Sequence, residues 1–266
     1  MTIAETILRM ATAGAALTLA GAAYAAPVHI NLNHETQNTG HGYGNAKLYE
    51  IMDGNGGTVN VKATAWSILG GGGWNNSSAH ANAYLGEYGG GLGVTNRFED
   101  GTAPGHQIDN GGSQDYIVLQ FDQLVRPENV GVTLFNNNGV VDGDVSILVG
   151  NVPLGFDQFL DPTTAFPDLS TFLNYDTDYW QSGHVAGQTR TRDNFDFGAS
   201  DYGNVVIVAA DLFRTQDHIA DAFKLKFINL DVFENPQNVP APGVIGLMGL
   251  GLAGLGALRR RKRAAS

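Results

Sequence analysis

Apolar and polar side chains alternate in short runs along most of the chain, and a period of two marks strands with one face buried. Residues 28–33 open the series, with Val28, Ile30 and Leu32 on one side and polar residues on the other. Residues 46–52 and 58–66 predict two more strands. The interval from Asp53 to Gly57, made of Asp, Asn and Gly, has the turn chemistry to join them as a hairpin. Residues 115–122 carry the strongest strand signal, and Pro127 predicts a turn from it into another strand at 130–135. Asp142, Gly143 and Asp144 predict a turn into residues 145–149. Two runs close the pattern, at 203–210 and 222–233. In the second, Phe223, Leu225 and Phe227 fall on one face, which predicts a half-buried strand.

Two stretches break the alternation. Gly70 to Gly73 interrupts it, and residues 74–96, rich in glycine and aromatic side chains, predict irregular backbone lying over a sheet. Tyr84, Leu85, Tyr88, Leu92 and Val94 make that stretch too apolar for a linker. Residues 153–200 are the least regular. There, 167–173 predict a short helical turn capped by Asp168 or Ser170, and 176–198 read as a polar insertion. No fixed-period repeat appears, which disfavours a solenoid or a propeller. Short strands divided by turn clusters define an all-β, antiparallel body.

Both ends depart from this pattern. An apolar, alanine-rich run at 10–23 follows a short start bearing Arg9, and Ala23 and Ala25 flank Tyr24 as a small-x-small cleavage pattern. Together they predict a secretory signal peptide cut after Ala25. At the other end, residues 244–258 hold no charged side chain, and Arg259, Arg260, Arg261, Lys262 and Arg263 follow at once. Counted from Pro242, the apolar run approaches the lower limit of about 17 residues for a helix that crosses a bilayer. Its glycines are tolerated in such helices, and its cations belong on the cytoplasmic side. Gly249, Ala253 and Ala257 lie four apart, a small-residue face suited to close helix contact. The expected organisation is a signal peptide at 1–25, a β body at 26–236 and a C-terminal segment at 237–266.

Charge sharpens the division. The chain has 15 Lys plus Arg and 26 Asp plus Glu. Setting aside Arg9 and the five tail cations leaves nine, and setting aside Glu5 leaves 25 acids, so the body carries −16. Such a surface repels nucleic acid and anionic lipid and favours cations such as calcium. Cysteine is absent, which removes disulfides and thiolate chemistry from consideration.

Candidate chemistry is sparse. There is no Gly-x-Ser-x-Gly elbow, no His-Glu-x-x-His and no Walker loop, and the seven histidines are scattered singly. His106 lies near Asp109, where loop structure and base chemistry both remain open, and Asp176 with Asp178 is a paired-acid candidate for glycoside hydrolysis. Calcium takes oxygen ligands, so Asp142 and Asp144 are its first candidates, followed by Asp109 and Asn110; turn chemistry explains the same residues. Aromatic rings in loop-like stretches can stack on sugars, and Trp74, Tyr88 and Trp180 are the candidates for that role.

The tail resembles a known sorting device. Val239, Pro240, Ala241 and Pro242, then the apolar run and the arginines, are similar to the PEP-CTERM sorting signal of Gram-negative bacteria. Ala241 stands where the commonest form of that motif has Glu. The resemblance implies recognition of Val239, Pro240, Pro242 and of Arg259, Arg260 and Arg261 by an exosortase, a membrane-embedded transpeptidase-like protease. Signal peptidase would act at the other end. The chain would be held briefly in the inner membrane, and its body would reach the cell surface or extracellular matrix. The body also resembles one class of PEP-CTERM surface proteins, through Trp66, Gly91 to Val94, His106, Asp109, Asn110 and Gly111, Phe121 with Asp122, and Asp142 with Asp144. That likeness implies a β-sandwich of the jelly-roll or galactose-binding-like kind and brings no activity with it. The expected role is structural or adhesive and non-enzymatic. A carbohydrate-binding module for exopolysaccharide is the alternative, and a secreted hydrolase ranks third.

Overall fold

The computed structural model describes residues 27–233 apart from 36, 39, 41, 54–55, 70–79, 100–104, 138, 153–154, 157–172, 180–184 and 213–218. The expected signal peptide, sorting motif and membrane helix lie outside the described residues. So do Trp74, Trp180 and nearly all of the expected helical turn. Among the described residues there is no α-helix, and none is long and apolar enough to cross a membrane.

The strands in chain order are β1 (Val28–Asn31), β2 (Gln37–Asn38), β3 (Ala46–Met52), β4 (Thr58–Ile68), β5 (His80–Asn82), β6 (Tyr84–Tyr88), β7 (Gly91–Thr95) and β8 (Ile108–Asp109). They continue with β9 (Gln114–Leu134), β10 (Asn136–Asn137), β11 (Val140–Val141), β12 (Val145–Gly150), β13 (Leu173–Asp178), β14 (Thr189–Arg192), β15 (Gly203–Ala210) and β16 (Ala222–Val232). All pairings are antiparallel, and fourteen of the strands form one continuous sheet, with β10 and β11 a separate pair.

That sheet divides along β9. The first half of β9 lies between β15 and β4, in the order β13-β12-β15-β9-β4-β3-β2. Its second half lies between β14 and β16, and β16 pairs in turn with β1, β7 and β8. One strand therefore belongs to two lobes. Ile117, Leu119 and Phe121 from its first half and Val130, Val132 and Leu134 from its second join a single buried cluster, which draws Val61, Val206 and Ile147 from one lobe and Phe223, Ile228 and Ile30 from the other. The lobes thus face each other across a shared core, an arrangement compatible with a β-sandwich.

The first lobe is buried on its other face as well. Trp66, Tyr116, Val118, Leu148, Val205 and Ile207 form a second cluster there. Strands covered on both sides need no polar alternation, which is why residues 116–119 and 205–210 read as nearly unbroken apolar runs.

Four expectations change. Pro127 does not end a strand: β9 runs through it, because the proline sits at a register shift opposite Leu230, where its missing N–H costs no ladder bond. Residues 84–95 are a hairpin of β6 and β7, not irregular backbone. Its glycines hid the alternation, and the Tyr88 ring lies where a side chain at Gly86 would stand. Within the expected polar insertion, β14 and the end of β13 are paired strands. Finally, Phe227 does not share a face with Phe223 and Leu225. A bulge at Lys226 shifts the register, so Ile228, Leu230 and Val232 turn into the core while Phe227 lies over Gly131.

The expected hairpin of β3 and β4 forms in register from Met52 opposite Thr58 to Ala46 opposite Thr64. Asp53 closes its turn, with Gly57 N donating to Asp53 Oδ1 at 2.6 Å and Gly56 in the left-handed region at φ 86°.

Gly91 joins the lobe of β7 to the bulge of β16. Its φ is +125°, and a Cβ there would strike the Leu225 carbonyl, which is backbone and cannot swing away. Gly91→Ala is expected to lower unfolding stability by about 2–4 kcal/mol in a urea titration. Ala substituted at Gly89, where an added Cβ meets nothing within 4 Å, should cost far less.

Candidate functional site

Two polar sites stand out, one closing the loop ends and one at the lateral edge. At the first, the turn from β11 into β12 is pinned from several sides. Ala222 N donates to Asp142 O and Asp211 N to Asp144 O, each at 3.2 Å. Asp221 is the knot. Its Oδ1 accepts Asp144 N at 2.6 Å, its Oδ2 accepts Asn110 Nδ2 at 2.7 Å, and its own N–H donates to Asn110 Oδ1 at 2.9 Å. One carboxylate thereby ties the loop after β8, the turn before β12 and the start of β16.

Carboxylate oxygens of Asp142, Asp144 and Asp221 lie within 4.8 Å of one another, all buried. Like charges so placed need a countercharge or a proton. Arg192, at the end of β14 and wholly buried, supplies the first: its Nε and Nη2 donate to Gly143 O at 3.2 and 3.0 Å. Burial pulls the guanidinium down to about 10, while the charges of Asp178, Asp144 and Asp142 hold it up, so it stays cationic at neutral pH. A proton supplies the second. Burial pushes Asp221 up to about 8, with the charges of Asp144, Asp142 and Asp211 adding to the effect against the Asp144 N–H bond.

An all-oxygen set of this kind suits a hard cation such as calcium, and Asp142, Asp144 and Asp221 are the residues that would hold it. Both Asp221 oxygens, however, already accept N–H donors, and a guanidinium already serves the group. The arrangement explains loop closure without an ion.

Asp109 and Asn110 part company. Asn110 joins Asp221, whereas Asp109 accepts Gly111 N at 2.9 Å and lies with Glu99 and Asp115 in a second carboxylate group. Burial raises Asp109, and it raises Asp115, which accepts Asn96 Nδ2 at 3.2 Å, well above the usual range. Sequence reasoning missed Asp221, Asp211 and Arg192. Each is a polar residue at a strand end, where turn chemistry looks the same.

The second site opens at the lateral edge, where β3 of one lobe comes beside β6 of the other. Asn45 clamps the two: its Nδ2 donates to Leu85 O at 2.9 Å and its Oδ1 accepts Leu85 N at 2.8 Å, replacing a missing strand partner. Beside it, Lys47 is only 3% exposed and pairs with Glu35 at 2.8 Å and Glu87 at 3.4 Å. Tyr49 lies on the same face of β3 and donates to Leu32 O at 3.1 Å. Asn33, Glu35, Lys47, Tyr84, Glu87, Tyr88 and Gly89 line an open cleft of about 530 Å³. Burial raises Glu87, as does its hydrogen bond with Glu35, and that same bond lowers Glu35.

Tyr88 borders this cleft. Its ring lies over Gly86, tilts against His106 at 4.3 Å between centroids and carries Lys224 Nζ 4.3 Å above it. Asp176 is committed to the backbone, accepting Thr177 N at 2.8 Å and Asp196 N at 2.5 Å.

An all-β body precedes an apolar, arginine-ended tail. Residues 238–262 match the family model described as the PEP-CTERM protein-sorting motif. That match implies processing by an exosortase and export to the surface by way of a membrane-anchored stage. No curated protein and no solved structure matches the chain.

Asp221 makes stability depend on pH. Its folded-state value of about 8 lies above the ordinary 3.8, so its contribution is full below about pH 4 and is lost as pH rises through about 8. The melting temperature should fall between about pH 5 and about pH 8.5, and Asp221→Asn, which has nothing to ionise, should flatten that slope. Added calcium that raises the melting temperature chiefly above about pH 8, and only when Asp221 is present, would assign the cluster to the ion.

Proposed function

We propose that this protein is an exported, exosortase-processed component of the cell surface or extracellular matrix, with a structural or adhesive role and no catalytic one. The sorting motif at 238–262 carries the reading. The body supports it: an antiparallel β domain compatible with a β-sandwich, without cysteine and bearing −16 between signal peptide and tail. Its most buried charges are spent on joining loops and sheet edges. Signal peptidase would release the leader after Ala25, and the helix within 244–258 would hold the chain until the motif at Val239 to Pro242 is cut.

A carbohydrate-binding module for exopolysaccharide is the second reading, and the cleft beside Lys47 favours it. A glycoside hydrolase fits less well. Its two carboxyl groups need about 5–10 Å between them to flank a scissile bond, whereas Glu35 and Glu87 are joined by a hydrogen bond and by one lysine.

The test is the intact mass and fractionation of the protein in its native host, with and without the exosortase. The expected mature species lacks residues 1–25 and the segment after about Pro242 and leaves the inner membrane only when the exosortase is present. A species that keeps Arg259 to Arg263 in the membrane regardless would overturn the reading.

A further inference from the structure

We propose that the cleft between β3 and β6 is a binding subsite for an uncharged sugar ring of an extracellular polysaccharide. The proposal rests on the reading that the body works outside the cell, and it supplies a ligand class and a place.

The cleft has the composition that a sugar requires. Its volume of about 530 Å³ lies within the range of small-molecule sites. Tyr84 offers a half-buried aromatic side chain at one wall. The lining is rich in acceptors. Asn33 Oδ1 is a covered acceptor with no hydrogen-bond partner among the described residues, and the Glu35 and Glu87 carboxyl groups stand beside it. A buried acceptor without a donor costs about 1–3 kcal/mol, so a small rotation of Asn33 toward a hydroxyl-bearing ligand is favourable. A pyranose brings several hydroxyl donors on one rigid ring and an apolar face for the tyrosine.

Charge narrows the choice to uncharged sugars. Lys47 already binds both Glu35 and Glu87, so an anionic sugar finds no spare cation, and the −16 body repels it. A metal ion is opposed by the ammonium 2.8 Å from Glu35. The frame is also fixed in advance. Asn45 holds β6 against β3, and Tyr49 anchors the floor through Leu32, so binding need not order the site first.

The experiment is saturation-transfer NMR and calorimetry on the full chain, in a detergent without a sugar headgroup. The probes are cellohexaose, laminarihexaose and mannohexaose, with oligogalacturonate as the anionic comparison. At least one neutral hexaose is expected to bind with a dissociation constant at or below the millimolar range, and oligogalacturonate is not. Tyr84→Ala and Asn33→Ala should each weaken binding by at least about tenfold. Tyr175→Ala, at an exposed position on β13, should leave it unchanged, with melting curves confirming that all three variants fold. Binding of none of the neutral probes, or binding that survives both pocket variants, would overturn the proposal. Sorting by the exosortase would stand in either case, because the fractionation above reads the tail and not the cleft.

Discussion

The fold depends on one strand that serves two sheets. β9 pairs along its first half with β4 and β15 and along its second with β14 and β16, so neither lobe can lose it without exposing the other. Its inward side chains lie in the same buried cluster on both sides of Pro127. A proline at a bulge lets the strand change partners at small cost, because the position that lacks an N–H is also one where the register slips. Around this axis the rest closes by local means: the β16 bulge, whose Lys226 carbonyl accepts Leu32 N, and the Asn45 clamp across the open edge.

Acidic domains face a difficulty wherever the chain folds in on itself, since few cations are present to balance buried carboxylates. The body has nine Lys plus Arg against 25 acids. Two of them are placed where they matter most. Arg192 stands among Asp142, Asp144 and Asp178, and Lys47 stands between Glu35 and Glu87. Beside Arg192, a proton on Asp221 takes part of the remaining charge. Removing Arg192 would leave buried carboxylates uncompensated, which is far costlier than losing a surface pair. The same scarcity separates the sites. In the loop cluster both Asp221 oxygens are engaged, by the Asp144 N–H and by Asn110, whereas in the lateral cleft Asn33 Oδ1 meets no described donor.

Much of the fold was legible because local chemistry and tertiary structure agreed. The β3–β4 hairpin follows from Asp53, Gly56 and Gly57, and β12, β15 and β16 start at the residues where the alternation starts. The misreadings share a cause. Glycine has no side chain to alternate, so β6 and β7 looked irregular until the Tyr88 ring is seen to lie over Gly86. A bulge reverses a pattern without any mark in composition, which is how Phe227 left the core. Asp142 and Asp144 were legible as a pair, but Asp221 lies 77 residues beyond Asp144, and no local rule connects them. Lys47 and Glu87, 40 residues apart, are the same case.

If β9 binds the lobes into one cooperative unit, the lateral cleft is a fixed site and not a gap between parts that move separately. Native-state hydrogen exchange along β9 tests this most directly. The amides of Leu119 and Val132, one in each half, should exchange through the same opening, with equal free energies and equal denaturant dependence. A second half that opens at much lower free energy than the first would contradict the account, and the two lobes would then be separate folding units joined by a strand.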